Sequence, residues 1–280
     1  MDDSPRILII GAHPDDADYR AAGTAFLWTS LGFRVKFLSL TNGDAGHFQQ
    51  GGGPLALRRR QEAEAAGRVL GVEYEVWDIH DGELLPTLEN RLAVIAAIRR
   101  FRPDLVLTHR PYDYHPDHRY TSILVQDASY MVTVPNLCPS VPHLRRNPIF
   151  GFLFDGFRQM APFRPDVVVD VTPVFDRIVE ALHCHASQMY EWLPYNGGYQ
   201  EEVPQEPEER RRWLAQRVRQ RLRRIRESCD ERVRALYGER ASQVEVVEAF
   251  EISEYGSPLT AEARRRLFPF VPWPEEAGGG

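Results

Sequence analysis

The 280-residue sequence has no apolar run approaching the ~20 residues that span a bilayer, so nothing in it reads as a transmembrane helix. Cysteine is scarce: Cys138, Cys184 and Cys229 are odd in number and far apart, which excludes a disulfide framework. An excess of positive charge is also missing. With 40 acidic against 34 basic residues the formal net charge is −6, which argues against a general affinity for nucleic acid. Met1-Asp2-Asp3-Ser4-Pro5 is acidic and leads directly into a strand-like run, so it does not read as a secretion signal. The first strand is not followed by the Gly-x-Gly-x-x-Gly that lets a pyrophosphate approach a helix, which speaks against a nucleotide-binding protein. There is no internal repeat and no convincing domain boundary. These absences leave the expectation of one cytoplasmic domain over residues 1–280, acting on a small molecule, with neither nucleic acid nor membrane as partner.

Strand and helix signals alternate through the first half. Arg6-Ile7-Leu8-Ile9-Ile10-Gly11 has the composition of a strand buried on both faces. Asp18 to Leu31 reads as a helix closed by Gly32, and Phe33 to Leu40 as a second strand. Leu55 to Leu70 is a helix stopped by Gly71. Val72 to Trp77 is a third strand, Asn90 to Phe101 a helix, and Leu105 to His109 a fourth strand. Such alternation predicts right-handed crossovers and an α/β, Rossmann-like three-layer sandwich with a mostly parallel sheet. In the second half, Val134 to Pro148 reads as a loop, and Ile149 to Phe154, Asp166 to Val171 and Val244 to Ile252 as strands. A helix is expected from Thr172-Pro173, with Thr as N-cap, to about Tyr190. Around 207–238 stands a long charged helical insertion, read as one helix from Glu208 to Tyr237. Leu214, Val218, Leu222, Ile225, Cys229, Val233 and Leu236 make a narrow apolar stripe along it. That stripe suits docking on the protein's own core, or contact with a partner helix.

Two motifs carry the chemistry: His13-Pro14-Asp15-Asp16 after the first strand and His115-Pro116-Asp117-His118 after the fourth. In an open α/β sheet the carboxyl ends of the strands are where ligands bind. A catalytic zinc commonly takes three protein ligands and leaves a place for water. His13, Asp16 and His118 supply such a two-His, one-Asp set. Asp15 then stands beside the metal without being needed as a ligand, as a general base would. His115 is placed to donate to a developing oxyanion or to protonate a leaving amine, with Asp117 holding its tautomer. The residues point to a metal-dependent hydrolase.

With these motifs the chain resembles the LmbE/PIG-L family of zinc-dependent N-deacetylases, which remove acetyl groups from N-acetylated amino sugars and related glycoconjugates. Gly11-Ala12-His13-Pro14-Asp15-Asp16 with Gly23-Thr24, and His115-Pro116-Asp117-His118, match its two signatures. The resemblance implies an LmbE-like fold, His13, Asp16 and His118 as zinc ligands, Asp15 as base, and His115 paired with Asp117 at the tetrahedral intermediate. Thr41-Asn42-Gly43-Asp44 is similar to the family's substrate-side loop, which makes Asn42 a substrate contact. Arg59-Arg60-Gln61-Glu62 is similar to its Arg-x-x-Glu helix, which makes Arg59 a grip on substrate hydroxyls. His185-Ala186-Ser187-Gln188 looks like a C-terminal block. The family usually carries Glu directly after the paired aspartates or one residue on; here Ala17 and Asp18 occupy those positions. Dimers or hexamers are common in the family, so a homo-oligomer is expected.

A mixed His/Asp site also suits Fe2+ or another divalent metal in place of Zn2+. Besides N-deacetylation of an amino sugar or glycoconjugate, the reading admits an amidase on a larger thiol or glycoside conjugate, or a retired sugar-binding member. His183-Cys184-His185 is not read as a second metal site, because alternate residues of a helix point apart. Of Tyr112 and Tyr114, which flank the second motif, spacing does not select one to assist at the oxyanion.

Overall fold

The structure, a computed structural model, describes residues 4–274. Seven strands form one sheet in the order β3-β2-β1-β4-β5-β7-β6. The strands are β1 (Arg6–Gly11), β2 (Arg34–Thr41), β3 (Glu73–Ile79), β4 (Leu105–Thr108), β5 (Ile149–Leu153), β6 (Val167–Asp170) and β7 (Val247–Gly256). The first five run parallel, and β7 lies antiparallel between β5 and β6. Alternate residues of a strand feed opposite faces. Ile7 and Ile9 join the layer that holds α1 (Asp16–Ser30), α2 (Gly52–Leu70) and α5 (Phe175–Cys184). Leu8 and Ile10 join the layer of α3 (Leu88–Phe101) and α4 (Pro116–Met131). With both faces covered, β1 carries no polar side chain after Arg6, which is why it reads as a continuous apolar run.

The chain runs from β1 outward to β2 and β3, then returns to lay β4 on the other side of β1. The reversal makes the gap between the carboxyl ends of β1 and β4 the switch point, where loops diverge and leave a crevice. Ile10 pairs with Thr108, so the loop after each strand starts at the same height. Both motifs flank that crevice.

Three expectations for the second half need correction. Thr172 is not an N-cap; its hydroxyl accepts from the N–H groups of Glu245 and Val246, tying a short 3₁₀ turn to the approach of β7. The helix that follows ends at Cys184, because His185 leaves helical geometry and turns its ring toward Asp18. A π-helical turn, Ser187–Trp192, and the short α6 (Leu193–Asn196) follow. The charged segment is two helices, α7 (Pro207–Ser228) and α8 (Asp230–Tyr237), broken at Cys229. Its apolar stripe, from Leu214 to Leu236, is buried in the same core layer as α5, so it docks on its own chain rather than waiting for a partner helix. The last helix among the described residues is α9 (Ala261–Leu267).

Candidate metal centre and its surroundings

The loop after β1 folds back on itself. Asp16, the first residue of α1, accepts from the N–H groups of Ala12 (3.0 Å) and His13 (2.8 Å) through Oδ2. Gly11 allows this closure, since a Cβ there would lie 2.8 Å from that of Asp16. His115 caps α4, and Pro116 begins that helix at a position where its missing N–H costs nothing. His118 follows on the first turn and reaches back across the crevice.

Three donor groups then converge. His13 Nδ1 lies 3.2 Å from His118 Nε2 and 3.4 Å from Asp16 Oδ2, and His118 Nε2 lies 3.3 Å from Asp16 Oδ1. Two ligands each 2.0–2.1 Å from one tetrahedral centre are about 3.3 Å apart. The far sides of both rings face carboxylates: His13 Nε2 is 3.1 Å from Asp81 Oδ1 and 3.4 Å from Asp117 Oδ2, and His118 Nδ1 is 3.1 Å from Asp113 Oδ2. Each ring with its N–H toward those carboxylates turns a bare lone pair inward, against the other ring and against Asp16. Two lone pairs and a carboxylate in a buried pocket repel unless a cation sits among them. The same demand shows in the acidities. Burial pulls His13 down, but Asp117, Asp16 and Asp81 outweigh it and hold its pKa well above the ordinary value. His118 is raised likewise, by Asp16 and Asp113 against burial. The donor set fits a divalent metal, and carboxylates behind ligating imidazoles are the usual support of such sites.

Asp81, Asp113 and His109 complete the site, and none of them stood out in the sequence. Burial pushes the Asp81 carboxyl up, yet His13 brings it down to about 2. Its signal was its place just past the end of β3, beside a loop already counted as part of the site. Asp113 sits between the two tyrosines and also accepts from the His115 N–H (2.9 Å). His109 stacks on His118 with ring centroids 4.1 Å apart and planes 5° from parallel, and its Nε2 lies 3.2 Å from Asp16 Oδ2. Burial, followed by the neighbouring His118, lowers its pKa to about 4, so it stands there as a neutral wall.

Asp15, Arg59, His115 and Tyr114 line the cavity of about 240 Å³ over the centre, together with His13, Asp16 and His118. Arg59 is buried; its Nη2 lies 3.3 Å from Asp15 Oδ1 and its Nη1 donates to Gly43 O (2.9 Å). It holds Asp15 in place. His115 Nδ1 accepts from the Asp117 N–H (3.2 Å), which fixes the tautomer with a proton on Nε2. This corrects the expected His115–Asp117 carboxylate pair: a capping ring folds over the helix N-terminus and meets the Asp117 backbone. The Asp117 carboxylate accepts instead from the Gly82 N–H (2.7 Å) and faces His13. Burial and then the charges of His13 and His118 push the His115 pKa below its ordinary value. Asn42 has a different task from the expected substrate contact. Its amide donates to Asp78 Oδ1 (3.0 Å) and accepts from the Asp44 N–H (3.1 Å), building the loop rather than lining the cavity. Tyr114, not Tyr112, lines the cavity, edge-on to His115 and His118. Asp18 is fully buried behind the loop, where it accepts from Tyr74 (2.8 Å) and faces His185 Nε2 (3.2 Å). His183 turns away to Tyr190, so the His-Cys-His run is no cluster.

Residues 8–129, which carry both motifs, match the PIG-L model, described as GlcNAc-PI de-N-acetylase. The diacetylchitobiose deacetylase of Thermococcus kodakarensis is 32% identical over 70% of this chain and 76% of its own length. The chain belongs to the PIG-L family. Another relative of this PIG-L protein, the 4-oxalmesaconate hydratase of Pseudomonas putida, is 29% identical over 67% of this chain and 76% of its own. In fold it resembles the N,N'-diacetylchitobiose deacetylase of Pyrococcus horikoshii, with a TM-score of 0.69 and 23% identity over 90% of this chain and 84% of that one. The matched residues end in α4, so α7 and α8 lie outside what the PIG-L model describes. Among the described residues no helix is long and apolar enough to cross a membrane.

Proposed function

We propose that this PIG-L protein is a metal-dependent N-deacetylase acting on an N-acetylated amino sugar or glycoconjugate. The observation that carries the reading is the convergence of His13, Asp16 and His118 at 3.2–3.4 Å in a pocket with Asp15 beside them. These three residues would hold a divalent metal, with zinc the choice that two imidazoles and one carboxylate suit. Bound there, such an ion supplies Lewis acidity toward the acyl carbonyl and lowers the pKa of water. Asp15 accepts the proton of the attacking water, and Arg59 keeps its carboxylate aimed. His115, with its proton on Nε2, donates to the oxygen that becomes negative as the carbonyl carbon turns tetrahedral. Collapse breaks the C–N bond, the nitrogen takes up a proton from Asp15 or His115, and acetate and the free amine leave. Tyr114 closes the same side of the cavity.

The test is acetate release from N-acetylglucosamine and N,N'-diacetylchitobiose by protein stripped with a chelator and then reloaded with zinc. Restored, stoichiometric release of acetate and amine supports the reading. Protein that holds zinc yet releases no acetate from any N-acyl amino sugar refutes it. The likeness to a hydratase favours a second reading, addition of water across a conjugated double bond of an unsaturated acid. Loss of the substrate's ultraviolet absorbance without acetate would mark that outcome.

A further inference from the structure

Tyr19 and Arg20, near the start of α1, line the metal cavity and also a larger one of about 680 Å³ beside it. Its far wall is the inner face of α7, and Phe154, Phe163 and Ile225 make it apolar. Four guanidinium groups border it: Arg20, Arg158, Arg221 and Arg224. Arg221 lies 3.6 Å over the Tyr19 ring and donates to Tyr19 O through Nη1, but its Nε and Nη2 are buried without a hydrogen-bond partner. Among the described residues none of the four arginines is in an ion pair. The nearby carboxylates are already engaged: Asp155 by Arg110 Nε (2.9 Å), Glu248 by Gly23 and Thr24. Burial, with Arg20 adding to it, drags the Arg221 pKa down. A buried cation kept without a counterion is costly, and the planar fork of a guanidinium matches a carboxylate or phosphate. The cavity has the size of a small-ligand pocket and adjoins the metal site, with Tyr19 and Arg20 in the lining of both.

We propose that this cavity is an oxyanion subsite, in which Arg221 and Arg20 bind a carboxylate or phosphate carried on an apolar part of the substrate remote from its N-acyl group. It deepens the deacetylase reading by naming a substrate class, and it assigns a role to α7.

The experiment has two readouts. Calorimetric titration with phenylacetate and with benzyl phosphate measures binding without turnover. Relative kcat/KM for the 4-carboxybenzyl and the benzyl N-acetylglucosaminides measures selectivity. Both anions, or the better of the two, bind the wild type, and Arg221→Met and Arg20→Gln each weaken that binding by about 10- to 100-fold. The selectivity ratio falls by a similar factor, while Arg221→Lys restores part of it, which a purely structural role for Arg221 would not produce. The anion that binds more tightly identifies the chemistry of the natural group. If neither anion binds the wild type and the ratio is near one, the subsite is refuted. If an anion binds but no N-acyl sugar is hydrolysed, the subsite stands and the deacetylase reading falls.

Discussion

Substituting Asp81 by Asn removes the charge behind His13 while keeping the shape. In the native site the His13 Nε2–H has two carboxylates within reach, Asp81 Oδ1 at 3.1 Å and Asp117 Oδ2 at 3.4 Å. Carboxylate support of a ligating imidazole is worth roughly 10- to 100-fold in metal affinity. Because Asp117 remains to take over, Asp81→Asn alone belongs at the low end, about tenfold or about 1.4 kcal/mol. The double variant Asp81→Asn, Asp117→Asn leaves His13 with no anionic partner on that side, and its loss reaches about 100-fold or more. The assay is competition for Zn2+ against a fluorescent chelator, with far-ultraviolet circular dichroism as the check on folding. A folded double variant that holds zinc as tightly as the wild type would refute His13 as a ligand oriented by these carboxylates.

Four further outcomes follow from the same geometry. Asp15→Asn lowers kcat by about 100- to 10,000-fold with zinc stoichiometry retained, as expected for removal of a general base; retained turnover would move that role elsewhere. Gly43→Ala places a Cβ about 2.3 Å from Arg59 Nη1 at a φ of +69°, so Arg59 is pushed off Asp15 and kcat falls while zinc affinity holds. Arg99 is buried and donates to six main-chain oxygens, those of Met131, Val132, Val134, Leu137, Cys138 and Val141. Arg99→Met strands those carbonyls, and urea unfolding shows a loss of at least about 3 kcal/mol; under about 1 kcal/mol would mean water replaces the guanidinium. Leu222→Ala, on the buried stripe of α7, costs about 2–5 kcal/mol without changing the molecular mass in solution. A change of mass instead would return that stripe to a subunit contact.

The parallel strands were legible because β1 after Arg6 and β4 before Thr108 are buried on both faces and therefore apolar, and because glycine or proline stops mark the helix ends. The carbonyl cage around Arg99 was not legible, since nothing in the sequence says that one arginine will meet six main-chain oxygens at the end of α4 and in the loop after it. Nor was the break at Cys229. The apolar stripe continues through it at helical spacing, while Tyr237 at the end of α8 is tied to the edge strand β6 by hydrogen bonds with Asp170 N–H and Val168 O. His185 looked like part of a helix; a buried Asp18 across the core turned it out.

At the site the division is similar. His13, Asp15, Asp16 and His118 were readable because strand-to-helix turns are short, and a short turn leaves few directions for its side chains. The capping role of His115 was not read, and it displaced the expected pairing with the Asp117 carboxylate. The sequence by itself did not determine that β1 and β4 lie side by side, and that adjacency alone brings the two motifs within 3.4 Å across 100 residues of chain. Tertiary structure also decided the supporting groups. Asp81, after β3, and His109, after β4, reach across to His13 and Asp16 after β1, and Asp117 serves His13 rather than its neighbour His115; only Asp113 supports a near neighbour in sequence, His118. The choice of candidate ligands follows from chemistry that a few adjacent residues can encode. Ligand orientation depends on contacts between loops distant in sequence, and those exist only once the sheet has formed.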